Sequence, residues 1–181
     1  MDANEKVDFI ARYMPIIRQI RNEQTAEKIA DVWIEMLRLS TWDSIDAAAF
    51  KEGMAGKNLV SHVNSTTESA LAVSRIVNKY HGIVFDEDRL ITIGLLHDVD
   101  KMIEYEIDHD GEIVISETGR KIQHGVMSAI LAYNSGFSTD IIHLILTHTP
   151  TQNMKPIYRE GILFGHIDIC DWELLVKFFD Q

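Results

Sequence analysis

The chain has 181 residues, 46% hydrophobic and 25% charged, which suits one ordinary globular domain with enough apolar material to build its own core. Its formal net charge of −11 argues against nucleic acid or an anionic membrane as a partner, while leaving room for a local basic pocket around one small anion. Cys170 is the only cysteine, so no intrachain disulfide forms. The opening "MDANEKVDFIARYMP" lacks the charged-then-apolar order of a signal peptide, and no apolar run approaches the ~18 residues of a membrane span, so the expected location is the cytoplasm.

Taken in chain order, residues 5 to 21 read as helical with a break or restart at Pro15. Residues 23 to 39 form an amphipathic helix, with Ala26, Ile29, Ala30, Trp33, Ile34 and Leu37 at helical spacing and Asn22 as N-cap. A short helix near 43 to 52 is ended by Gly53 and Gly56, and a longer one runs from about 59 to 80 and stops at Gly82. Asp86 and Ser138 each stand as N-caps between a preceding phenylalanine and a later apolar residue, Leu90 or Ile142, the pattern of a hydrophobic staple. They place helices at about 87 to 100 and 139 to 148. Further helices are expected at about 121 to 134 and 157 to 179. The stretch "MIEYEIDHDGEIVISE" breaks this rhythm, because apolar alternation around Asp110-Gly111 predicts a β-hairpin. The fold expected is all-α, a single helical domain with one small hairpin.

Within that frame "GLLHDVDK" is unusual. The apolar run 91 to 96 gives way abruptly to His97, Asp98, Asp100 and Lys101, and unpaired charges at a buried helix end are strongly disfavoured. Either they emerge into solvent or a metal ion collects them. Of eight histidines, His62, His97, His124, His148 and His166 recur about once per predicted helix, and helical metal sites are built from ligands converging from several helices. His81 reads as a helix-end cation, His109 belongs to the hairpin turn, and His143 should face away from His148.

"GLLHDVDK" resembles the signature of the HD-domain superfamily of metal-dependent enzymes. "NLVSHVNSTTESALAVSRIVN" is similar to that family's first-histidine helix, "KIQHGVMSAILA" and "IIHLILTHTP" to its later histidine segments, and "ILFGHIDICDW" to its terminal aspartate helix. The resemblance covers about residues 58 to 172 and makes 58 to 181 the metal-binding core, with 1 to 57 a helical extension packed on it. It implies the ligand set His62, His97, Asp98, His124, His148 and Asp168. In the last segment His166 and Asp171 stay open as alternatives to Asp168.

Asp98, with two carboxylate oxygens, can bridge two ions, with His62, His97 and Asp168 completing one and His124 and His148 the other. Mixed imidazole and carboxylate donors suit transition metals, Fe or Mn foremost and Co, Ni or Zn besides, in divalent or mixed-valent form, and not Ca. The resemblance implies a phosphohydrolase of small phosphoesters or nucleotides, with Asp98 and Lys101 catalytic. Lys101, Arg120, Lys121, Lys155 and Arg159 are candidate contacts to an anionic substrate. The same superfamily holds mixed-valent di-iron oxygenases that cleave C–H or C–P bonds, and the ligand set does not separate the two; a regulatory module without turnover is a third reading. Asp100 is expected to be solvated or paired with a base. Trp33, Trp42 and Trp172 read as core or interface anchors, and Trp33 and Trp42 suit a role of residues 1 to 50 in packing across the core, closure of the pocket or a homodimer contact.

Overall fold

The computed structural model describes residues 1–54, 57–149 and 154–178. Helix α1 (Ala3–Ala11) begins with a reciprocal capping box between Asp2 and Glu5, and Pro15 opens a separate 3₁₀ turn, Pro15–Gln19. Helix α2 (Glu23–Leu39) is capped by Asn22 and buries Ala26, Ile29, Ala30, Val32, Trp33 and Met36. The helix expected at 43 to 52 shrinks to the 3₁₀ turn Ile45–Ala47, because the chain then extends to form an isolated bridge between Ala49 and Asn58. Gly56, one of its expected terminators, lies outside the described residues, as does residue 179 at the expected end of the last helix.

Helix α3 (Leu59–His81) is the long central element, capped by Asn58 and terminated by Gly82 at φ 68°. Helix α4 (Glu87–Leu96) starts at Asp86, whose side chain accepts from the Arg89 amide. It stops four residues earlier than its apolar pattern suggests. The Trp33 indole donates to Leu95 O at 2.7 Å, and the Asp100 amide donates to Ser128 Oγ at 3.0 Å rather than continuing the helical ladder. Residues 97 to 100 therefore form a turn before the short α5 (Lys101–Glu104).

The hairpin follows as β1 (Tyr105–Ile107) and β2 (Ile113–Ile115), antiparallel with Tyr105 opposite Ile115 and Ile107 opposite Ile113. The helix expected at 121 to 134 begins only at Val126, and a separate short helix precedes it. Ser116 caps α6 (Glu117–Lys121), and α7 (Val126–Asn134) starts only after Gly125, whose φ of 82° a side chain resists. Helices α8 (Thr139–Leu146) and α9 (Arg159–Phe178) complete the chain; Ser138 occupies the N-cap position of α8 without a capping bond from its side chain.

The segment before α3 is part of the same core. Ile10, Met14, Ile17, Ile29, Trp33, Met36 and Ile45 pack in one cluster with Leu59, Val63, Leu90, Ile93, Leu96 and Phe164. At the centre, α4 presses against α3 at Gly94, where any Cβ would lie 2.2 Å from Thr67 Oγ1. That close approach brings the His62 and His97 turns together. No described helix is long and apolar enough to cross a membrane.

Candidate metal centre

Four imidazoles converge from four different segments, and each has one ring nitrogen assigned by its partner. His62, in the first turns of α3, donates its Nδ1–H to Asp171 Oδ2 at 2.7 Å, and the Ser65 hydroxyl donates to Asp171 Oδ1 at 2.6 Å. His97 donates Nδ1–H to Gly94 O at 2.9 Å, and His148, just past α8, donates its own to Ile145 O. His124, in the loop between α6 and α7, donates to Glu104 Oε2 at 2.9 Å. With all four Nδ1 protons committed to oxygens, four Nε2 lone pairs turn inward.

They meet in pairs across one carboxylate. His62 Nε2 and His97 Nε2 are 3.3 Å apart and stand 3.3 and 3.5 Å from Asp98 Oδ2. His148 Nε2 and His124 Nε2 are likewise 3.3 Å apart, at 3.6 and 2.7 Å from the other oxygen, Oδ1. Asp168, on α9, places Oδ1 at 3.1 Å from His62 Nε2 and 3.6 Å from His97 Nε2. The ligand atoms of His62, His97 and Asp98 lie within 4.8 Å of one another, as do those of Asp98, His124 and His148. Two lone pairs aimed at each other across 3.3 Å repel unless something positive sits between them. The donor set, four imidazoles and two carboxylates, fits borderline transition cations.

The surroundings sharpen that demand. His62, His97, Asp98 and His148 are all buried. Burial alone would lower the basicity of His62, but hydrogen bonds to Asp168, Asp171 and Asp98 outweigh it and push its pKa up to about 10. His124 is likewise opposed by burial and held at about 10 by the charge of Asp98. Asp98 is disfavoured as an anion by burial, yet Lys101, His97 and His124 hold its pKa well below the usual range. Asp168 is depressed by its His62 and His97 bonds against the same burial. The cluster therefore collects positive charge, as protons or as metal.

Lys101 joins it. Its Nζ lies 3.7 Å from Asp98 Oδ2 over the Phe50 and Tyr105 rings, and although burial works against the ammonium, Asp98, Glu104, Asp100 and Asp168 keep its pKa above the ordinary lysine value. The Phe50 ring also covers His62 at 4.4 Å, and Phe164 packs on His97 at 4.9 Å.

A family model for the HD domain matches residues 60–173, well over half of the chain and a span that contains all six inward-facing residues. The chain belongs to the HD-domain family. Membership places it in a superfamily of metal-dependent phosphohydrolases, and its His/Asp clusters suit divalent metal ions. No curated protein and no solved structure gives a match.

Within this HD domain the other expected contacts lie as follows. His166 is exposed while Asp168 faces the imidazoles; Asp171, one turn on, grips the back of His62. Arg120 and Lys121 are exposed on α6, donating to Ile115 O and pairing with Glu117; Arg159 donates to Val84 O, and Lys155 is exposed before α9. His143 accepts from the Ile157 amide and packs on Tyr158, away from the cluster. Of the two expectations for Asp100, the structure shows the paired one, with Oδ1 at 3.4 Å from His124 Nδ1, and not the solvated one. Asp100 is buried and accepts from the Gly125 amide at 2.7 Å, securing the start of α7. Glu104, the acceptor for His124, escapes any reading of the sequence, because nothing in its local pattern distinguishes it from a surface glutamate.

Proposed function

We propose that this HD domain is a phosphohydrolase of small anionic phosphoesters or nucleotides, working with two transition-metal ions, Fe or Mn foremost. What supports this reading is the placement of Asp98, whose two oxygens each face one pair of imidazole Nε2 atoms. His62, His97, Asp168 and Asp98 Oδ2 would hold one ion, and His124, His148 and Asp98 Oδ1 the other. A metal pair held there would supply an acidified water as nucleophile at neutral pH and Lewis acidity toward a phosphoryl oxygen.

The chain's own residues do the rest. Asp98 ties the two half-sites into one unit and accepts a hydrogen bond that orients the attacking water. Lys101, kept cationic by Asp98, neutralises one equatorial phosphoryl oxygen as charge builds on it. Phe50 and Phe164 exclude bulk water from the imidazoles they cover, which strengthens each of these interactions.

The test is phosphate release from a panel of nucleotides and phosphomonoesters by protein loaded with Mn or Co. Release that disappears on chelation supports the reading. No release from any member, together with retained iron and a mixed-valent paramagnetic signal, transfers the chain to the oxygen-activating branch of the same superfamily.

A further inference from the structure

The two half-sites are not held equally. His62 rises from a 23-residue helix, and His97 and His148 donate to carbonyls three residues back in their own segments. His124 lies in the loop of residues 122–125, outside any helix, and takes its orientation from Glu104, a side chain 20 residues away, with Asp100 Oδ1 at 3.4 Å from the same nitrogen.

Glu104 is in turn clamped by the hairpin and the helix after it. The pairing of Tyr105 with Ile115 sets the separation of the two chain segments, and Ser116 closes on both carbonyls before the hairpin: its amide donates to Glu104 O at 2.8 Å and its hydroxyl to Ile103 O at 2.5 Å. Helix α6 then docks so closely that a Cβ at Gly119 would lie 2.5 Å from Glu104 O and 3.1 Å from Glu104 Cγ. Glycine is the residue this contact admits.

We propose that the β1–β2 hairpin and α6 form a buttress that holds Glu104 against His124 Nδ1, making Glu104 a positioning residue for the second half-site. The inference rests on the two-cation reading above. A carboxylate on the outer nitrogen of a metal-binding imidazole fixes its tautomer and ring plane, and loss of such partners weakens metal binding by about 10–100-fold.

The experiment is titration of the full-length, chelator-stripped chain with Co(II) alone, read by calorimetry and by Co(II) absorption, alongside circular dichroism of each variant. Wild type is expected to bind two Co(II) per chain. Glu104→Leu keeps the tighter site and loses about 10–100-fold at the weaker one, whereas Glu104→Gln, which retains an acceptor oxygen, recovers most of that loss. Gly119→Ala leaves every donor side chain in place and is expected to weaken the same site by pushing α6 off Glu104. Wild-type affinity at both sites in a natively folded Glu104→Leu overturns the buttress while leaving the two-cation reading intact. If that variant does not fold, unchanged affinities in Gly119→Ala overturn it instead. Wild type that takes up one Co(II) or none overturns the two-cation reading and the buttress with it.

Discussion

Lys101 Nζ lies 3.7 Å from Asp98 Oδ2, with the Phe50 ring centre 5.1 Å away and that of Tyr105 at 5.7 Å. A buried ammonium beside the carboxylate that both imidazole pairs share balances charge in the resting cluster, and under the proposed phosphohydrolase reading it would also meet the incoming anion. Lys101→Met removes the charge and keeps the bulk. It is expected to lower kcat/KM by about 10²–10³-fold, the usual loss when one charge-stabilising donor goes, with metal content unchanged. Steady-state kinetics and metal analysis on one preparation check this; full activity in the variant removes Lys101 from the reaction.

Asp171 touches His62 from behind through Oδ2, while its Oδ1 accepts from the Ser65 hydroxyl. Asp171→Ala is therefore expected to weaken the His62 half-site by about 10–100-fold and leave the other near wild type. Competition with a chelating dye measures both affinities. Equal loss at both sites means that Asp171 acts through general stability instead.

Much of the fold was legible in the sequence. Asn22 and Asp86 cap helices where the polar-to-apolar transitions place them, and Asp110-Gly111 marks the hairpin turn, with Gly111 at φ 82°. The inward-facing six could be named because they match a family pattern in order; their separate spacings carry little. What stayed hidden depends on contacts distant in sequence. The end of α4 is set by Trp33 and Ser128, and the role of Asp100 by an amide 25 residues away. An aspartate with a charged neighbour in sequence reads as solvated or paired with a base, and only packing shows that it also holds the start of a helix.

The charge balance fixes the pH response of the metal-stripped protein. His62 and His124 have folded pKa values of about 10, above the unfolded histidine value of about 6.5. Their contribution to stability is complete below about pH 6.5 and is lost as pH rises toward 10. Asp100, raised by burial, works in the same direction at lower pH. Asp98, Asp168 and Glu104, all depressed, contribute above about pH 4 and lose that contribution as pH falls. Metal ions displace the imidazole protons, so metal affinity rises with pH. Thermal melts at pH 6.5 and 9 are expected to show Tm falling with chelator present and holding in loaded protein. A chelated Tm that climbs across that interval contradicts the charge assignment.

Gly94 tests the packing beneath the site. A methyl group there meets Thr67 at 2.2 Å in the α3–α4 contact, so Gly94→Ala must separate α3, which carries His62, from α4, which leads into His97. Overpacking of this kind costs roughly 1–3 kcal/mol, measurable by urea denaturation, and a reduced metal content is expected with it. An unchanged midpoint and full metal loading would contradict this tight α3–α4 contact.

The central claim is that Asp98 is shared between two cations. Anomalous diffraction from crystals of the metal-loaded protein, collected at the absorption edge of the ion it retains, tests this most directly. Two peaks are expected, one bounded by His62, His97 and Asp168, the other by His124 and His148, each touching a different oxygen of Asp98. A single peak that leaves His124 and His148 without metal, or none within reach of Asp98, contradicts the account.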